Sequence, residues 1–344
     1  MKTLTLTQPD DWHLHLRDGA LLSRSVNDSA RQFKRALIMP NLCPPITTIA
    51  AAEAYRQRIL AALVPGNDFD PLMTLYLTDT MTVETIQQAA AHPQIIAAKL
   101  YPAHATTNSA AGVSDIKHIY PLLEAMQTHG LTLCIHGEVT HGDIFDREKA
   151  FIDSTLTRLC QDFPRLRMVL EHITTQDAVD FVCAQGPQLA ASITPQHLLF
   201  HRNQLLAGGI KPHFYCLPVL KRQCHQHALL KAASSGNAKF FLGSDSAPHS
   251  LDAKQSACGC AGTYSAYSAL EFYAQAFASI DALDKLEAFA SFHGADFYRL
   301  PRNQGQTTLV EKPWQLPEIL PFGDTEVVPL AAGEPLTWQL AAKA

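Results

Sequence analysis

Short apolar runs alternate with amphipathic stretches along the chain, and each run ends at or just before a polar residue. The runs are WHLHLR (12–17), RALIMPN (35–41), PLMTLYLT (71–78), IIAAKLYP (95–102), LTLCIHGE (131–138), RMVLEHIT (167–174), LAASITPQ (189–196) and KFFLGSDS (239–246). Each has the length and the apolar content of a strand. Between them, TVETIQQAAAH (82–92), IKHIYPLLEAMQTHG (116–130) and TQDAVDFVCAQG (175–186) place apolar residues at helical spacing. Strands alternating with helices predict a parallel sheet, and a count of eight predicts an α/β fold of the closed (β/α)8 TIM-barrel type. No low-complexity linker, repeat or shift of composition divides the chain. Residues 1–344 are therefore expected to form a single barrel domain with short N- and C-terminal extensions.

Read as a strand, the first run points Trp12, Leu14 and Leu16 to one side and His13, His15 and Arg17 to the other. The H-x-H spacing alone proves nothing. His225 and His227 share it within a helical pattern, where two residues span a rotation of roughly 200° and the side chains diverge. The barrel supplies the missing context, because its chemistry sits at the C-terminal ends of the strands. The polar residues at those ends are His13, His15, Asn41, Lys99, His136, His172 and Asp245. Singly, each has a plain structural role open to it: a hydrogen-bonded core histidine, a snorkelling lysine, a helix cap. Together, four histidines, a lysine and an aspartate at one barrel mouth are costly to bury unless a divalent metal organises them.

Composition narrows the function. A chain of 344 residues that is 47% hydrophobic supports a large core, and a net charge of −5 without a long basic run does not indicate a nucleic-acid footprint. No stretch has the eighteen or so apolar residues of a membrane span, and MKTLTLTQPDD lacks an apolar signal core, so the expected location is the cytoplasm and the expected partner a small molecule. Of the eight cysteines, Cys43, Cys134, Cys160, Cys183, Cys216 and Cys224 stand singly and are expected to be reduced and mostly buried. Cys258 and Cys260, in CGC, lack the second pair that a structural zinc site needs and are assigned to a loop. The chain shows no GxSxG elbow, which leaves acyl-enzyme chemistry without support.

The segments WHLHLRDG, MPN, AAKLYP, CIHGE, EHIT and GSDSAPH, with YPAHATTNS, HGEVTHGDIFDRE, ITPQHL, YCLPVLKR and CGCAG, resemble the amidohydrolase superfamily, and more closely its dihydroorotases of the short bacterial class. The likeness runs along essentially the whole chain. About ten residues precede the first strand, which is too few for the β-sandwich half that longer relatives build from both ends. The resemblance implies two zinc ions, one held by His13, His15 and Asp245 and the other by His136 and His172, with Lys99 bridging both as a carbamate formed with carbon dioxide. Burial would favour that modification, since it lowers a lysine's pKa and only the neutral amine attacks carbon dioxide. Two zincs would activate a water and polarise a carbonyl, with Asp245 as the general base.

By the same resemblance Arg17, Asn41 and His249 bind a substrate carboxylate, Leu217, Ala261 and His136 contact the rest of the ring, and the loop 104–112 is a lid that brings Thr106 and Thr107 over the substrate. Two divalent cations and Arg17 outweigh the anions of the centre, which favours an anionic ligand. The implied reaction is the reversible conversion of L-dihydroorotate and water to N-carbamoyl-L-aspartate in pyrimidine synthesis, carried out by a homodimer. A hydantoinase or dihydropyrimidinase with the same metal centre is the alternative, against which Arg17 argues, because uncharged rings need no such clamp. A barrel that had lost catalysis would lack a ligand or the base, and all six positions are filled.

Overall fold

All eight apolar runs form strands of one parallel sheet. The computed structural model describes residues 2–342. Strand β1 (Thr3–Thr7) precedes the barrel, which is built from β2 (Asp11–Leu14), β3 (Arg35–Ile38), β4 (Asp70–Tyr76), β5 (Ile95–Leu100), β6 (Thr132–Ile135), β7 (Met168–Leu170), β8 (Leu189–Ile193) and β9 (Phe240–Leu242). They pair in sequence order from β2 to β9. The barrel closes just past β9, where Leu14 bridges Ser246, the Asp245 amide donates to His13 O at 2.9 Å and the His15 amide donates to Ser246 O at 3.0 Å. A helix follows each strand before the next begins, among them Ile49–Ala61, Val83–Ala91, Tyr120–His129, Gln176–Ala184 and Gln223–Ala233. Threonines at strand-to-helix junctions start several of these helices: Thr48, Thr82 and Thr175 accept from the amides of Ala51, Thr85 and Ala178.

Alternation along the strands sorts their side chains into two shells. Ala36, Ile38, Leu133, Ile135, Met168, Leu170, Phe240 and Leu242 pack outward against the helices, where they meet Tyr55, Ile59, Ile86, Met126, Val182 and Leu229. Leu37, Ala97, Cys134, Val169, Ala190 and Phe241 fill the barrel interior. The first strand departs from the simple alternation read in the sequence. Leu14 and Leu16 join the outer shell, but Trp12 joins the interior cluster, because the register of β2 against β3 slips between Asp11 and Leu14. One extra residue in a strand re-aims its neighbours. Trp12 thereby stacks on Tyr298, with ring centroids 4.6 Å apart, and closes the barrel floor. Asp10 and Arg35 pair beside it at 2.5 Å.

The two chain ends meet outside the barrel in a sheet of their own. β1 pairs antiparallel with β10 (Gln306–Gln315), which pairs with β13 (Pro335–Leu340). A hairpin of β11 (Leu320–Phe322) and β12 (Thr325–Val327) packs Leu320, Phe322 and Val327 against Tyr264 and Ala266 of the segment that follows β9. The few residues before the barrel do enter a sheet, whose other strands lie some three hundred residues away, out of reach of a local pattern. The cysteines are all free, and Cys134, Cys160 and Cys216 are buried as expected, but Cys43, Cys183 and Cys224 are exposed. Cys183 lies off the face of its helix that buries Ala178 and Val182. No helix among the described residues is long and apolar enough to cross a membrane.

The floor yields a stability prediction. Gly294 of the helix His293–Phe297 lies so close to Trp12 that a Cβ there would sit 2.0 Å from the indole nitrogen. Gly294→Ala is expected to displace Trp12 and to destabilise the protein by about 1–3 kcal/mol through overpacking. Denaturant unfolding together with tryptophan fluorescence reads both effects; an unchanged midpoint and spectrum would refute the packing argument.

Candidate metal centre

The polar residues predicted at the strand ends meet at one mouth because the strands stop short and their C-terminal continuations bend inward. Lys99 lies within β5 and His13 within β2, whereas His15 and His136 are the first residues past β2 and β6. His172 is two residues past β7 and Asp245 three past β9. Arg17, His172 and Asp245 take left-handed backbone conformations, with φ of 64°, 43° and 45°. These are conformations that side chains other than glycine adopt at a cost. Arg17 therefore reaches the face of His13 and His15 through a turn, and the strand period that predicted its direction had already ended at Leu14.

Four imidazoles stand in a row: the ring centroids of His15 and His13 are 5.1 Å apart, those of His13 and His172 5.0 Å, and those of His172 and His136 4.9 Å. Asp245 Oδ1 lies 3.3 Å from His13 Nε2 and 3.1 Å from His15 Nε2. Burial lowers the pKa of all four histidines, that of His15 to about 4, which favours the neutral imidazole, the form that binds a cation. Burial opposes the charge of Asp245 too, but the adjacent His13, with hydrogen bonds from His13 and His15, outweighs it and holds the carboxyl well below the usual range. His172 Nδ1 is buried without a hydrogen-bond partner among the described residues.

Such a donor set suits divalent metal. The ligand atoms of His13, His15 and Asp245 lie within 4.8 Å of one another, as do those of His13, Glu171 and His172. Lys99 is fully buried beneath the row, and burial pulls its pKa down to about 7, where a substantial share of the amine is neutral. Its Nζ contacts Glu171 Oε2, while Glu171 Oε1 lies 3.1 Å from His13 Nδ1 without hydrogen-bond alignment.

Glu171 and Glu138 belong to this centre and were passed over in the sequence, although both stand inside quoted segments. Glu138 Oε2 is 3.1 Å from His136 Nε2, and both groups are buried. A strand period would send Glu171 and His172 to opposite sides. With β7 ending at Leu170 and His172 in a left-handed turn, both face inward.

The pocket above is lined by His13, His15, Arg17, Asn41, Tyr101, Thr106, Thr107, His136, His172, Leu217, Asp245, Ala247, Ala261 and Gly262. Every residue expected at the site is in that lining except Lys99, which lies below it, and His249, which flanks it. His249 Nε2 is 2.9 Å from Arg17 Nη2 and 3.0 Å from Ala261 O. The loop 104–112 borders the pocket through Thr106 and Thr107, with Thr107 Oγ1 donating to Ala261 O at 3.3 Å and Asn108 Nδ2 to Asn41 O at 3.2 Å. Arg17 donates from Nε to Pro248 O at 2.8 Å and is half-buried, and no carboxylate pairs with it among the described residues. Cys258 is exposed and Cys260 half-buried, both outside the donor groups.

Comparison with known proteins agrees with this geometry. Residues 10–308 match the Amidohydrolase family. A dihydroorotase of Nitrosococcus oceani is 62% identical over 341 residues, covering 98% of this chain and 99% of that protein. The crystal structure of the Campylobacter jejuni dihydroorotase superposes with a TM-score of 0.91 at 38% identity, over 99% of this chain and 98% of that one. A dihydroorotase of Saccharomyces cerevisiae in complex with 5-fluoroorotic acid superposes with a TM-score of 0.90 at 34% identity, over 99% of both chains. This chain belongs to the amidohydrolase family and, within it, to the dihydroorotases.

Proposed function

We propose that this pocket interconverts L-dihydroorotate and N-carbamoyl-L-aspartate, the ring-closing step of pyrimidine synthesis. The observation that carries the reading is Arg17, a half-buried guanidinium without a carboxylate ion-pair partner among the described residues, which lines the pocket beside the histidine and aspartate cluster. Burying an unpaired cation is costly, and a ligand carboxylate offsets the cost with a bidentate hydrogen bond. Dihydroorotate carries that carboxylate next to a cyclic amide, and the yeast relative is described with an orotic acid derivative. Hydantoin and dihydrouracil lack it, which sets the hydantoinase reading aside.

The finer assignments form part of the same proposal. His13, His15 and Asp245 would hold one zinc and His136 and His172 a second, with Lys99, as a carbamate made from carbon dioxide, the further ligand. The neutral imidazoles and the lowered pKa of Lys99 support this set. When bound, a divalent pair supplies Lewis acidity to the ring carbonyl and lowers the pKa of water.

The chain's own groups do the rest. Arg17, Asn41 and His249 hold the carboxylate, while His136 and the main chain of Leu217 and Ala261 orient the ring so that its amide faces Asp245. The contacts of Asp245 to His13 and His15 run through Oδ1, which leaves Oδ2 to take a proton from the attacking water and return it to the ring nitrogen. Thr106 and Thr107 close over the ligand and exclude water. Hydrolysis leaves a second carboxylate and releases a proton, so acid favours the ring. The family resemblance supports a cytoplasmic homodimer acting on this small molecule.

Arg17→Ala is expected to lower kcat/KM for dihydroorotate by roughly ten- to a hundred-fold, the loss of one hydrogen bond to a charged group, with little effect on trace turnover of dihydrouracil or hydantoin. Steady-state kinetics on the three compounds checks it, and preferred turnover of dihydrouracil by the unaltered protein would overturn the assignment. Asp245→Asn is expected to lower kcat by about 10² to 10⁴ while part of the metal stays bound; undiminished turnover removes Asp245 as the base. Elemental analysis is expected to find two metals per chain, and a crystallographic map a carboxylated Lys99. A fully active protein with one metal, or with plain Lys99, contradicts the bridged pair.

A further inference from the structure

The helix Leu251–Gln255 lies in the segment after β9, and Lys254 is its one buried residue. Lys254 Nζ donates to three main-chain carbonyls, those of Tyr215 at 2.7 Å, Cys260 at 2.7 Å and Gly262 at 2.8 Å. It also lies 5.6 Å from the centroid of the Tyr215 ring. No carboxylate is among the charges that act on it, and burial lowers its pKa to about 8. A buried ammonium is expensive unless its donors are met, and here each of its three N–H groups has an acceptor.

The three carbonyls belong to two stretches of chain that border the pocket. Leu217 follows Tyr215 by two residues, and Ala261 stands between Cys260 and Gly262. Gly262 has φ of +143°, and a Cβ on it would lie 2.6 Å from Ala247 O, so the path of this stretch is too close to its neighbour to be set by a side chain of its own. Its amide donates to Tyr215 O at 3.0 Å, which ties the two stretches to each other as well as to Lys254. Ala261 O in turn meets Thr107 Oγ1 and His249 Nε2. Lys254 itself does not line the pocket.

We propose that Lys254 is a positioning residue for substrate recognition: one ammonium pins the chain at 215, 260 and 262, and so holds the main-chain groups of Leu217 and Ala261 where the ring binds. The proposal rests on the reading of those two residues as ring contacts. An apolar residue of the same length would fill the space but leave the Cys260 and Gly262 carbonyls without this donor, with the Gly262 amide bond to Tyr215 O as the remaining tie between the two stretches.

Lys254→Met tests this in the metal-loaded enzyme. Metal content is expected to stay unchanged, KM for dihydroorotate to rise about tenfold or more, and kcat to fall by less than about threefold, the split expected when binding geometry is lost and the reacting groups stay in place. A merely structural lysine would lower the unfolding midpoint and leave KM alone; a folded Lys254→Met protein with KM within about twofold of the parent overturns the proposal. Should that variant not fold, Lys254→Arg decides, since a planar guanidinium does not reproduce three donors converging from one nitrogen. A several-fold rise in its KM supports the proposal, and an unchanged KM overturns it. Arg17→Ala in the same assay separates the two readings. If it raises KM and Lys254→Met does not, the pin alone is wrong; if Arg17→Ala leaves kcat/KM untouched, the reading of the pocket falls and the pin with it.

Discussion

The site depends on the seam where the barrel closes. The first strand and the chain after the last one are far apart in sequence, and the hydrogen bonds from Asp245 to His13 O and from His15 to Ser246 O join them directly. Asp11 strengthens the seam from below: its carboxylate accepts from the Ser244 amide at 2.8 Å, from the Ser244 hydroxyl and from the His13 amide at 3.1 Å. Three groups whose ligand atoms lie close enough to hold one metal ion, His13, His15 and Asp245, are therefore neighbours across a single pair of strands. Their relative placement follows from backbone hydrogen bonding and needs no long lever of side chains.

That closure also carries strain. Arg17, His172 and Asp245 hold left-handed conformations at a cost of about 1–3 kcal/mol each. The return is direction. A regular strand continuation would alternate its side chains inward and outward, whereas each of these turns brings a polar side chain into the mouth. The register slip in β2 acts in the same sense, sending Trp12 to the floor and leaving His13 and His15 above it. Floor and mouth are thus built by one irregular strand.

Desolvation then sets the chemistry. Burial strips charge from the imidazoles and pulls Lys99 to about 7, while Asp245 stays ionised because two imidazoles face it. Lys254 is a buried cation and Arg17 a half-buried one, neither ion-paired with a carboxylate among the described residues, and they meet that cost differently. Lys254 satisfies all its donors on carbonyls of the fold. Arg17 places Nε on Pro248 O and Nη2 beside His249 Nε2, and its guanidinium lines the pocket with no carboxylate of the fold to pair it.

Much of this was legible in the chain itself. Eight apolar runs with polar ends specify the barrel, because strand and helix periods are local properties of side-chain spacing, and the barrel fixes which strand ends share a mouth. His13, His15, Lys99, His136, His172 and Asp245 could be named from that rule and from the motifs around them. The rest needed contacts between residues distant in sequence. Trp12 leaves its expected face because β2 slips against β3; β1 finds partners some three hundred residues away; Glu171 and Glu138 matter through what faces them; and Lys254, one lysine in a short polar helix, gains its role from three carbonyls elsewhere in the fold. Periodicity records how a residue sits relative to its own strand or helix. Where that element stops, which turn follows and what it meets are decided by packing and by the satisfaction of buried polar groups, and these exist only once the tertiary structure has formed.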